Sequence, residues 1–137
     1  MGTGRRTRRF PGSDDDAMKS VVVLGATPKP DRYAFKAMKS LQEHGHKAVP
    51  VNPAFTEVLG ECCHPSIADV AGPIDTVTMY LGAARSTPLI DDIVKAKPRR
   101  IIFNPGAENR ELAELAVKNN ILPMEACTLV LLSTDQY

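Results

Sequence analysis

At 137 residues and 43% hydrophobic content, the chain has material for one domain with a real core. Of its 17 basic and 16 acidic side chains, four and three lie in the first seventeen positions, so the remainder is balanced, without the basic footprint of a nucleic-acid binder or an attraction to anionic membranes. No apolar run approaches a membrane span, and three cysteines without a secretion signal point to reduced thiols in a cytoplasmic protein.

Residues 1–17, MGTGRRTRRFPGSDDDA, lack apolar periodicity and the apolar stretch of a secretory signal. They read as an expression leader ending at Ala17. An arginine-rich arm for nucleic acid, or an organellar address, is the alternative. The folded part is expected from Met18 to Tyr137.

Residues 20–24, SVVVL, predict a buried strand, because β-branched residues fill a short run that Gly25 closes. From about Asp31 to His44 the period turns helical, with Ala34, Ala37, Met38 and Leu41 on one face and Gly45 at the end. KAVPVN (47–52) is a second strand, stopped by Pro53. Residues 54–74 break the rhythm and predict a short extended piece, then one helical turn near Ser66 to Val70. DTVTMYL (75–81) is a third strand. Leu89, Ile90, Ile93 and Val94 form the stripe of a second helix, which Pro98 ends. RIIFN (100–104) is a fourth strand. Leu112, Leu115, Ala116 and Val117 mark a third helix, closed near Asn119 and Asn120. ILPMEA (121–126) is a fifth strand that Pro123 assigns to an edge.

Strands apolar on both faces, alternating with helices, imply an α/β fold: an open, doubly wound, mainly parallel sheet of about five strands covered by helices on each side. Ligands of such sheets bind beyond the carboxyl ends of the strands, where strand order reverses. The site is therefore expected among the loops following Leu24, Asn52, Leu81 and Asn104.

The first of these loops, GATPKPDR, offers small residues at Gly25, Ala26 and Thr27, whose backbone a phosphate can approach, and a helix start that favours negative charge. Lys29 and Arg32 add two cations; Arg32 can grip a phosphate with two parallel bonds, Lys29 as a mobile point charge. The bland reading is a solvated turn with two surface cations. The glycine pattern of dinucleotide-binding loops is missing. The second strand ends in Asn52 and Pro53, neither the carboxylate that takes ribose hydroxyls in NAD sites nor the cation of NADP sites.

Together, G-A-T-P-K-P-D-R and P-V-N-P, followed by EVLGE, SIADV, IDTVTMYL, NPGAENRE and EAC, resemble the small CoA-binding proteins, relatives of the CoA-binding domain of the succinyl-CoA synthetase α chain. The similarity runs from Met18 to Cys127. It implies a Rossmann-like fold whose first loop wraps the CoA pyrophosphate, with the adenine beside the second and third strand ends and Leu81 in the cleft. Two cations in place of two glycines then suit a ligand carrying a pyrophosphate and a 3′-phosphoribose. The chain departs from many members, which have Gln-x-Gly after the fourth strand, by having FNPGAEN. Asn104, Pro105, Gly106, Glu108 and Asn109 would then edge the cleft towards the pantetheine arm. The bland reading of Glu108 and Glu111 is a helix start.

Cys62, Cys63 and His64 lack the distant partners that a tetrahedral metal site needs, and no metal is expected. Cys127 follows the last strand; a buried, inert thiol is the expectation, although it is also the cysteine best placed to meet a CoA thiol. His44 and His46 flank a helix C-terminus at the surface. The expected function is binding of CoA or acyl-CoA by a module without catalysis of its own. A small NAD(P)-dependent oxidoreductase or NAD(P)-sensing regulator on the same fold is the alternative, and an acyl-CoA sensor docking on an enzyme is a third class.

Overall fold

The computed structural model describes residues 20–137; the reading of residues 1–17 as a leader lies outside them. Strand alternation divides the core. Val21 and Val23 of β1 (Ser20–Leu24) turn to one face, where they meet Ala34, Met38 and Leu41 of α1 (Tyr33–Glu43). Val22 and Leu24 turn to the other, with Val49 and Val51 of β2 (Lys47–Val51). Such two-sided burial is what parallel strands under helices require.

The chain then forms a small antiparallel pair, β3 (Glu57–Val58) and β4 (Glu61–Cys62), and a 3-10 turn at Ile67–Asp69. These are the extended piece and helical turn expected for the irregular segment. β5 (Thr76–Met79) is followed by α2 (Ala83–Ser86), a 3-10 turn at Thr87–Leu89 and α3 (Ile90–Lys95). β6 (Arg100–Phe103), α4 (Arg110–Lys118), β7 (Leu122–Glu125) and α5 (Thr128–Ser133) complete the order. All five long strands pair in parallel in the order β2-β1-β5-β6-β7, so order reverses between β1 and β5. Ile90 and Ile93 of α3 and Leu112 and Ala116 of α4 pack on one face; α1 and Leu132 of α5 pack on the other. The fold is the doubly wound α/β sheet expected.

The structure differs from the sequence reading in four places. Val117 is 62% exposed rather than part of the α4 stripe, which Leu112 and Ala116 carry. Leu89 lies in the 3-10 turn, because α2 and that turn carry the chain back over the sheet before α3 begins. Helix α3 ends at Lys95, ahead of Pro98; Lys97, just past the C-cap Ala96, takes a left-handed φ of 51°, as residues that close a helix commonly do. Helix α5 was not foreseen. Its run TLVLLS is too short to show a helical period.

At the point of reversal the backbone allows no side chain. Gly25 has a φ of +95°, and a Cβ there would lie 3.0 Å from Leu81 Cδ2 and 3.2 Å from the Tyr80 carbonyl carbon. Its amide donates to Val51 O at 3.0 Å while Tyr80 N donates to Leu24 O at 2.9 Å, so the start of the loop is anchored to both neighbouring segments. Gly25→Ala should cost about 1–3 kcal/mol, the usual penalty of a disfavoured backbone conformation. Urea unfolding should show a lower midpoint at unchanged slope; an unaltered midpoint would mean that the loop relaxes freely.

Candidate functional site

Four loops converge at the carboxyl ends of the strands around a cleft of about 510 Å³. Gly25, Thr27, Lys29 and Arg32 come from the loop after β1, Asn52 and Phe55 from that after β2, and Tyr80, Leu81 and Arg85 from that after β5. Pro105 and Gly106 come from the loop after β6. The volume lies within the usual range of small-molecule sites. A neighbouring chamber of about 200 Å³ is walled by Val51, Pro53, Ile67, Leu81 and Leu89, and shares Gly25, Asn52 and Arg85 with the cleft.

The charge of the cleft has one sign. Lys29, Arg32 and Arg85 line it, no carboxylate does, and none of the three is ion-paired among the described residues. Arg32 is the N-cap of α1, yet no side chain caps that helix and no acidic residue stands in its first turn. Its leading amides therefore await an outside acceptor. Helix α4 offers the contrast: Asn109 Oδ1 accepts from Leu112 N at 3.1 Å, and Glu111 occupies its first turn.

Asn52 ties two loops together. Its Nδ2 donates to Ala26 O at 2.8 Å and its Oδ1 accepts from Ala54 N at 2.9 Å. These bonds spend one N–H and one lone pair of the amide on the chain and fix its orientation at the wall of the cleft. Ala26 is fully buried in the core and presents only backbone.

Asn104 lies beneath the cleft, 2% exposed. Its Nδ2 donates to Thr78 Oγ1 at 2.7 Å and Met79 O at 2.9 Å, and its Oδ1 accepts from Thr128 N at 2.9 Å. The hydroxyls of Thr78 and Thr128 sit 2.8 Å apart and close the ring. Here β5, β6 and α5 are bound by one side chain. Tyr80 lies above, half-buried, and burial pushes its hydroxyl up to about 12, while the neighbouring Thr78 and Thr128 hydroxyls pull the other way.

Of the residues singled out from sequence, Gly25, Thr27, Lys29, Arg32, Asn52, Leu81, Pro105 and Gly106 meet at the main cleft, and Pro53 lines the smaller chamber. Asn109 faces away: besides capping α4, it donates to Ser86 Oγ at 2.8 Å. Glu108 folds back on its own turn, its carboxylate accepting from Gly106 N at 3.1 Å. Arg85 was not foreseen. It is far in sequence from the other cations, and only the reversal of strand order brings the loop after β5 beside them.

Cys62 is exposed and Cys63 buried, with burial raising the Cys63 thiol above its ordinary value. Among the described residues, no three His, Cys, Asp or Glu side chains gather as a metal site. Cys127 is half-buried rather than buried, and lines a third chamber of about 260 Å³. His44 is exposed, its Nδ1 2.8 Å from Ser40 O at the end of α1; His46 is half-buried rather than at the surface, its ring tilted 57° against that of Tyr137 at 4.9 Å.

A profile of the family described as CoA binding domain matches residues 19–133. The chain belongs to that family. It is 26% identical over 113 residues to the uncharacterized protein YneT of Bacillus subtilis, spanning 82% of this chain and 84% of that one. A 63-residue stretch is 35% identical to an ADP-forming acetate–CoA ligase of Methanocaldococcus jannaschii, 46% of this chain but 9% of the ligase. A crystal structure of an uncharacterized protein, 42% identical, superposes with a TM-score of 0.82 over 88% of this chain and 98% of its own. Among the described residues no helix is long and apolar enough to cross a membrane.

The ring around Asn104 gives a direct test. Asn104→Ala removes three hydrogen bonds and leaves buried hydroxyls and an amide short of partners, at about 1 kcal/mol each. Denaturant titration should show a loss of about 3 kcal/mol. A loss below about 1 kcal/mol would show that α5 is held by its apolar contacts alone.

Proposed function

We propose that this chain binds CoA, pyrophosphate on the loop from Gly25 to Arg32, as a binding module without a reaction of its own. The observation that carries the reading is the uncapped start of α1 facing a cleft that, among the described residues, is lined by three unpaired cations and no carboxylate. Membership of the CoA binding domain family names the anion. In this reading the amides of the first α1 turn and Arg32 take the pyrophosphate, and Lys29 adds its charge from the loop. The chamber between Pro53, Ile67 and Leu89 receives the adenine against its apolar walls. Arg85 stands where that chamber meets the cleft and takes the 3′-phosphate. The part assigned to Asn52 is to hold the first and second loops at a fixed separation.

Thermal unfolding is the first test. CoA at a hundred times its dissociation constant should add about 2.7 kcal/mol, with NAD, NADP and ATP adding little. Stabilisation by NADH with none by CoA would overturn the reading in favour of an oxidoreductase or a dinucleotide sensor.

Charge removal is the second. Contacts to charged groups contribute roughly 1.5–3 kcal/mol, so Arg32→Ala should weaken CoA about tenfold or more in titration calorimetry. Lys29→Ala should cost less, because the flexible ammonium loses more freedom per contact. Arg85→Ala should weaken CoA but leave dephospho-CoA unaltered. Equal losses for both ligands would move the 3′-phosphate elsewhere.

A further inference from the structure

The third chamber differs in chemistry from the cleft it adjoins. Its walls are Tyr33, Tyr80, Asn104, Pro105, Cys127 and Leu129, drawn from the start of α1, the end of β5, the loop after β6 and the start of α5. Tyr33, Tyr80 and Pro105 also line the main cleft, so the two spaces meet across common walls. Among the described residues, no carboxylate, lysine or arginine lines the chamber. The Asn104 amide spends both its ends on the chain itself, and Tyr80 keeps its proton throughout the physiological range. Water held there finds few partners, whereas an apolar group gains contact on several sides. A ligand that fits both spaces is therefore anionic at one end and apolar at the other.

We propose that this chamber takes the acyl group of a short, uncharged acyl thioester, so that the preferred ligand is an acyl-CoA rather than free CoA. The inference rests on the CoA reading and adds the chemistry of the ligand's far end. With a volume of about 260 Å³, against about 30 Å³ for a water molecule in the liquid, the chamber holds a chain of roughly four to eight carbons. A carboxylate-ended acyl group finds no cation there to replace its hydration.

Calorimetry on the full chain tests this with CoA and with acetyl-, butyryl-, hexanoyl- and succinyl-CoA. Each buried methylene should tighten binding by about fourfold. Butyryl-CoA should therefore bind on the order of tenfold tighter than acetyl-CoA, hexanoyl-CoA tighter still, and succinyl-CoA no tighter than acetyl-CoA. Leu129→Phe narrows the chamber and should reduce the hexanoyl-to-CoA affinity ratio; Leu129→Ala widens it and should move the preferred length upward. Because each ratio is taken within one variant, a general loss of folding cannot imitate opposite shifts. Equal affinities for CoA and every thioester, or a length preference unmoved by both variants, would overturn the acyl proposal while leaving CoA binding intact. No binding of any CoA species to the wild-type chain would overturn both.

Discussion

The structure depends on the close approach of two backbones where the sheet reverses its order. Between β1 and β5 the chain departs to opposite sides, and the gap becomes a cleft only if the first loop lies flat against the second. Gly25 permits that, because a methyl group there would press on Leu81 and the Tyr80 backbone. A bulkier residue would push the first loop outward and separate Arg32 from Arg85. The glycine thus acts through what it allows two other segments to do.

Around that contact the polar side chains fall into two roles. Asn52, Asn104 and Asn109 are engaged within the chain, tying loop to loop, strand to helix and helix to turn. Lys29, Arg32 and Arg85 are left without such ties. Buried amides demand partners and find them in the fold, while exposed cations keep theirs in solvent until an anion replaces it. The three amides build the frame, and the three cations face outward from it.

Much of the frame was legible because parallel strands announce themselves. SVVVL, KAVPV and RIIF are short, mostly apolar and closed by Gly or Asn, while TVTM buries a threonine face as well as an apolar one. The start of α1 and its buried face followed from helical spacing. What escaped had a physical reason in each case. The apolar run of α5 has no polar face from which to read a period. Val117 lies about 100° around the helix from Ala116, so the stripe through Leu112 and Ala116 leaves it in solvent, and its apolar side chain gave the sequence pattern a false member. Arg85 lies on a four-residue helix with no pattern of its own, and its place in the cleft follows from topology. The asparagines at 52, 104 and 109 were correctly marked as belonging to strand ends and turns, yet spacing alone could not distinguish an amide aimed at a ligand from one aimed at the chain.

Both margins of the sheet carry a proline, Pro50 in β2 and Pro123 in β7. A proline has no amide hydrogen to offer a further strand, so each border has a missing rung. On the β2 side, the segment around His64 already lies against the edge, its amide bonded to Pro50 O at 3.0 Å. Open parallel sheets risk growing strand by strand into aggregates, since any exposed border is a template. Here the β2 border is partly covered and the β7 border lacks one donor, so each offers a further strand fewer hydrogen bonds than an unbroken edge would.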